Sequence, residues 1–241
     1  MRRGFKCKRE LLEKLKEKYD DIVSKKYNGD YLLALKKFDF LAEDYLRGIL
    51  SIYYKVERSR DQAWKTCKGS LYEYAVFMNL LDIIYKRKLE NKIEAIMGDK
   101  AFDLYKDQLV IRNWSDILPD ADIVIIDRRK KIVKAILSCK TSLRERLTET
   151  AFWKRELEKT RDRHDIKLIF VTTDKDNELR IDTNRYILLH VIDSTFVTNP
   201  DKYNQLMEAY KKKYGERKDF EKLMSRVKPI DEMEEFICSL I

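Results

Sequence analysis

The sequence predicts an α/β (α+β) fold, a central mixed β-sheet flanked by helices, with an N-terminal helical arm and C-terminal helices. Three observations carry this. Apolar residues recur at helical spacing up to about Lys100, the pattern becomes extended beyond Asp99, and helical spacing returns after Asn199-Pro200. Strands interrupted by a helical crossover build a mixed sheet with helices packed against it.

The arm is read from Leu11, Leu12, Leu15 and Tyr19, then Leu32, Leu33, Leu35, Phe38 and Leu41. Asn28-Gly29-Asp30 marks a turn and helix start, and Lys68-Gly69-Ser70 another, opening a helix from Ser70 to about Lys88. Five strands follow: Gln108 to Arg112, Ile123 to Ile126, Ile132 to Cys139, Lys167 to Val171, and Ile187 to Ile192, the last carrying His190 as a sheet or core residue. A helix from about Leu143 to Thr160 separates the third strand from the fourth. Helices at Asp201 to Tyr214 and Phe220 to Ile241 complete the chain. The expected organisation is a helical arm, 1–100, and a core, 101–241, within one compact domain.

Composition narrows the partners. Charged residues make up 39% of the 241, and 51 basic against 42 acidic residues leave a net charge of +9, which favours a polyanion, either nucleic acid or an anionic membrane. A run of about 18 apolar residues, the length that spans a bilayer, is absent, and no apolar stretch of a signal peptide follows Met1-Arg2-Arg3-Gly4-Phe5-Lys6. A cytoplasmic protein with no membrane association is expected. Cys7, Cys67, Cys139 and Cys238 lie far apart without a CxxC pair, so they are expected to be reduced and mostly buried.

The chemistry concentrates between Pro119 and Arg146. Asp120 and Asp122 stand at the mouth of an apolar strand, two apart and therefore on one face. Lys140 follows by 20 and 18 residues, the length of strand, turn and strand, so a hairpin returns it to the aspartates. Carboxylates hold a hard divalent cation such as Mg²⁺, with Mn²⁺ as a substitute, and a lysine there orients water or neutralises phosphate charge. This is the equipment for metal-dependent cutting of nucleic acid. Glu73, in an apolar and aromatic helix surface, reads either as an acid suited to a helix N-terminus or as one aimed at this site.

Pro119-Asp120 with Ser138-Cys139-Lys140 resembles the two half motifs of the PD-(D/E)xK nuclease superfamily, with Ser138 where an acid is expected. Lys140 is followed four residues on by Arg144-Glu145-Arg146, and the S-x-K and R-E-R combination is similar to type II restriction endonucleases that cut sites containing CCGG, or CC and GG separated by a base or so. The resemblance spans Leu118 to Leu157. It implies a restriction-endonuclease-like core, double-stranded DNA as partner, a homodimer, and a substitute acid from the following helix. That acid would fall about thirteen residues after the lysine, where this chain has Trp153; Glu149 and Glu156, on one helical face, are the candidates. Arg144 and Arg146 suit guanine O6 and N7, and Glu145 suits cytosine N4.

Rival chemistries find little support. Only two histidines occur, and the chain has no GxxxxGK[ST] or GxGxxG, so no nucleotide cofactor is expected. Two alternatives stay open: a less sequence-selective repair or junction nuclease of the same fold, and a non-catalytic DNA-binding protein, which the serine at 138 would permit.

Overall fold

The computed structural model describes residues 7–112, 116–143, 146–159 and 165–241. The chain divides into two compact units, Met1–Asn79 and Leu80–Ile241.

The first unit is helical. Helix α1 (Arg9–Tyr27) buries Leu11, Leu15, Tyr19, Ile22 and Val23, one stripe of an amphipathic helix. It ends at Asn28 (φ 51°) and Gly29 (φ 79°), left-handed residues that turn the chain as the Asn-Gly pair predicts. Asp30 then caps α2 (Tyr31–Lys36) by accepting the Leu33 N–H at 2.9 Å. After α3 (Phe38–Leu41), a π turn (Ala42–Leu46) and a 3-10 turn (Arg47–Ile52), α4 (Glu57–Lys86) runs through Lys68-Gly69-Ser70 without a break. The expected turn there is corrected: Leu71, Tyr72, Ala75 and Val76 continue the buried stripe of Ala63, Trp64 and Cys67, and burial outweighs the roughly 1 kcal/mol propensity cost of one glycine. Cys7 and Cys67 form a disulfide across a separation of 60 residues, so the expectation of four reduced cysteines is corrected for this pair; Cys139 and Cys238 keep their thiols. Sequence spacing did not reveal it because the bond joins the segment before α1 to the middle of α4.

The second unit is built on a six-stranded sheet. Strands β1 (Ile93–Met97), β4 (Ile123–Asp127) and β5 (Ile132–Lys140) are antiparallel neighbours; β6 (Lys167–Thr172), β7 (Ser194–Val197) and β8 (Val227–Pro229) follow β5 in parallel. Strands β2 (Ile111–Arg112) and β3 (Asp116–Ile117) pair separately. Helices α5 (Gly98–Leu109), α6 (Arg146–Glu158), α7 (Asp182–His190), α8 (Pro200–Tyr214) and α9 (Phe220–Arg226) cover one sheet face, where Val124, Ile126, Ile136, Leu168, Phe170, Val197 and Val227 meet Ala101, Leu147, Leu157, Leu188, Leu206 and Leu223. On α10 (Met233–Cys238), Phe236 stacks edge-on against Phe196 of β7.

The predicted mixed sheet flanked by helices is what forms, with three corrections to its strands. Ile93–Met97 is an edge strand inside the stretch read as helical. Gln108 and Leu109 end helix α5, leaving only Ile111–Arg112 extended. Ile187 to Ile192 is chiefly helix α7, so His190 is an exposed helical residue, while the strand beside it is Ser194–Val197. A continuous apolar run does not distinguish a buried strand from a buried helix, and Ser-Thr-Phe-Val is too short and polar to stand out. The helix expected from Phe220 to Ile241 is likewise interrupted by β8.

Candidate active site

The β4–β5 hairpin is held by its own sequence. Asp127 accepts the Arg129 and Lys130 N–H groups at 3.0 Å, and Lys131 takes a left-handed φ of 54°, closing the turn. One extra residue on β5 bulges the ladder opposite Ile125/Ile126, and Gln108 of α5 clamps it, donating to Lys131 O and accepting from Val133 N. Beyond the bulge Ile123 faces Leu137, and the Asp122 N–H donates to Leu137 O at 3.0 Å. This register places Ser138 and Lys140 on the face of Asp122 and Asp120, the face that α6 covers.

There the predicted residues meet. The Lys140 ammonium lies 2.8 Å from Asp122 Oδ2, 3.0 Å from Asp122 Oδ1 and 3.2 Å from Asp120 Oδ2. Asp122 also accepts the Cys139 N–H at 2.6 Å. Its side chain is 8% exposed and that of Lys140 12%, against 37% for Asp120, so the cluster opens to solvent through Asp120. Burial pushes the Asp122 carboxyl above its ordinary value; the Lys140 ammonium opposes this, and the Asp120 charge adds to it. Two carboxylates and one ammonium sum to one negative charge at a strand end. Such oxygen donors suit a hard divalent cation.

Gly98 explains how tightly this edge is built. It donates its N–H to Asp122 O at 2.9 Å, and a Cβ there would stand 1.8 Å from Ala121 O. Sequence reading missed Gly98; its position just after a short apolar run and before a helix was the available signal.

The other predicted residues are more dispersed. Ser138 is fully buried, and its hydroxyl lies 3.5 Å from Thr150 Oγ1 on α6, so a small polar contact fills the place of the expected acid. Glu149 is exposed in the first turn of α6; Glu156 is half-buried and paired with Lys159. Glu73 is half-buried on α4 in the first unit. Among the described residues, no three acidic, histidine or cysteine side chains gather at one point. Arg144, Glu145 and the Arg146 side chain lie outside the described residues. Also among the described residues, no helix is long and apolar enough to cross a membrane.

Known proteins share this plan. Residues 101–223 match the family model described as BsaWI restriction endonuclease type 2, just over half of the chain. A Methanocaldococcus jannaschii protein assigned as the type II restriction enzyme MjaVIP is 32% identical over 153 residues, covering 57% of this chain and 67% of the relative. A Helicobacter pylori protein assigned as the type II restriction enzyme HpyAORF263P is 28% identical over 151 residues, covering 57% and 77%. The solved complex of restriction endonuclease PspGI with substrate DNA superposes with a TM-score of 0.63 at 15% identity, covering 95% of this chain and 92% of that one. The matched span contains Asp120, Asp122 and Lys140 together with every strand from β2 to β7, and on that evidence this chain belongs to the BsaWI family of type II restriction endonucleases.

Proposed function

We propose that the chain makes Mg²⁺-dependent, sequence-specific double-strand cuts in DNA, acting as a homodimer on a short palindromic site containing C·G pairs. The observation that carries this reading is the Lys140 ammonium bridging Asp120 and Asp122 at the open end of the hairpin. The PspGI complex, which shares the fold, contains substrate DNA.

Restriction endonucleases of this type generally use divalent metal ions. Asp120 and Asp122 would hold the ion, which when bound supplies Lewis acidity toward the scissile phosphate. Lys140 keeps two like-charged carboxylates converged and presents an ammonium to the attacked phosphate or the attacking water. Thr150 beside Ser138 places the first turns of α6 against this end of β5, and Glu149 precedes Thr150 by one residue. Glu156 lies six residues beyond Thr150, about 9 Å further along a helix that runs back from the site. Glu149 is therefore the better-placed substitute acid. The triplet Arg144-Glu145-Arg146, whose last residue is the first of α6, would read bases. Two-fold symmetry gives each half site of a palindrome an identical reader and cutter. In the proposed arrangement the helices of the first unit, before Leu80, serve dimerisation and backbone contacts.

Digestion of a sequenced plasmid with Mg²⁺, followed by sequencing of the ends, tests the reading directly. Discrete fragments sharing one palindrome are expected, and Asp120→Ala and Lys140→Ala should abolish cutting while DNA binding persists. A smear instead would favour a less selective nuclease of this fold. Binding without cleavage by the unaltered chain would favour a non-catalytic protein.

A further inference from the structure

The three residues that join Lys140 to the triplet, Thr141, Ser142 and Leu143, are gripped from the neighbouring strand's loop. Lys140 pairs with Thr172 in the parallel β5–β6 register, so the chain leaves both strands side by side. Just past that pair, Thr173 Oγ1 donates to Thr141 O at 3.1 Å. The Leu143 N–H then donates to Glu178 Oε2 at 2.8 Å, and Leu143 itself is buried. The link is thus held at both ends by one loop.

That loop is itself firmly backed. Asp174 takes a left-handed φ of 49°, donates its N–H to Thr172 Oγ1, and accepts the Leu179 N–H on Oδ1 at 3.2 Å. Asn184 of α7 donates to Glu178 O at 2.8 Å, and Tyr210 of α8 donates to Leu179 O at 2.6 Å. Lys202 of α8 reaches Lys175 O and Asn177 Oδ1. A 3-10 turn, Glu178–Arg180, held from two helices, is a rigid mount for a side chain.

We propose that Glu178 is a positioning residue for base recognition, fixing the amide of Leu143, the last residue before the triplet, at a set place relative to Lys140. This deepens the proposed reading and rests on its assignment of the triplet as the base reader. In this proposal Glu178 acts through the backbone amide of Leu143, whose N–H it accepts at 2.8 Å. Its substitution should therefore loosen the choice of sequence more than the chemistry of cutting.

The test compares cleavage of the mapped cognate duplex with duplexes carrying one changed base pair, using the full-length protein and Mg²⁺. Glu178→Ala should lower the cognate to near-cognate ratio of kcat/KM by about tenfold or more, as loss of a charge-assisted hydrogen bond implies. The loss should fall on KM, with kcat for the cognate site within about threefold. Glu178→Gln retains an acceptor oxygen and should restore most of the ratio. Thr173→Val removes the other grip and should move the ratio the same way, which keeps the inference testable if Glu178→Ala folds poorly. An unchanged ratio in the folded variants, or an equal loss in Glu178→Gln and Glu178→Ala, would overturn the positioning role. Arg144→Ala and Arg146→Ala separate the two failures. If they leave base preference unchanged, the reading triplet is misassigned and this inference falls with it; if they alter it while the Glu178 variants do not, only the positioning role fails.

Discussion

Gly98 and Asp174 show how much single residues carry in this unit. A methyl group on Gly98 would meet Ala121 O at 1.8 Å, so backbone must move, and the backbone that moves belongs to the aspartate segment. Gly98→Ala should cost about 1 to 3 kcal/mol in urea unfolding and most of the cleavage rate. Gly48→Ala, with nothing within 4 Å, should leave cleavage unchanged. Asp174 is buried, its Oδ2 without a hydrogen-bond partner among the described residues, and burial raises its carboxyl to about 6, against the pull of the Leu179 and Glu178 N–H groups, Lys202 and Arg180. A raised acid means that the folded chain holds a proton the unfolded chain releases, so stability is lost as pH rises from about 4 to about 6. Asp174→Asn removes that loss. Its stability relative to wild type should grow across this window by up to about 3 kcal/mol and then level off, and a pH-independent difference in denaturant unfolding would contradict the assignment. Asp120, Asp122 and Lys140 were legible in the sequence because strand length alone dictates the return of a hairpin. Gly98 was marked only by its place between a short apolar run and a helix, and Asp174 and Glu178 by nothing local, since their roles arise from contacts between segments.

At the scale of elements, α6 carries both candidates for the proposed substitute acid. Its buried stripe is Leu147, Thr150, Lys154 and Leu157, and Lys154 is held there by Asp193 Oδ2 at 2.8 Å and Ile166 O at 3.1 Å. These contacts fix the helix's rotation, leaving Glu149 and Glu156 on the adjoining face. If Glu149 completes the site, Glu149→Gln should lower the cleavage rate by two or more orders of magnitude, about 3 kcal/mol of transition-state stabilisation, and shift the Mg²⁺ dependence. Glu156→Gln should fall within about threefold of wild type. The reverse ranking in a Mg²⁺ titration of cleavage would move the assignment to Glu156. The disulfide belongs to this scale too, because it ties the segment before α1 to α4. Cys67→Ser should lower stability by about 2 to 4 kcal/mol relative to the oxidised wild type, read by calorimetry, and the reduced wild type should match the variant. The hairpin and α8 were predictable from period and caps, Asn199 accepting the Asp201 and Lys202 N–H groups as an N-cap should. Strand β1 and helix α7 were not, because a five-residue edge strand and the mostly apolar stretch Ile187 to Ile192 both lack a distinguishing period.

For the whole molecule, the net charge of +9 asks for a polyanion, and Lys211, Lys212 and Lys213 on the exposed face of α8 are part of that charge. Charge of this kind acts on the phosphate backbone and carries no sequence information. Base choice, in the proposed arrangement, comes from one triplet at the end of the β5 strand. The two contributions should separate experimentally. Binding to any duplex should weaken linearly in log K against log salt, by roughly a thousandfold between about 50 and 200 mM if about six phosphates are neutralised. Replacing Lys211, Lys212 and Lys213 by glutamine should flatten that slope equally for cognate and unrelated duplexes. Replacing Arg146 by alanine should instead remove on the order of 1 to 3 kcal/mol from the cognate complex alone. A slope near zero for the wild type would mean that its basic surface serves some other anion. Equal losses on both duplexes for Arg146→Ala would reduce the triplet to one more phosphate contact. The two measurements use the same fluorescence titration at stepped salt, so the backbone and base contributions are read from one data set.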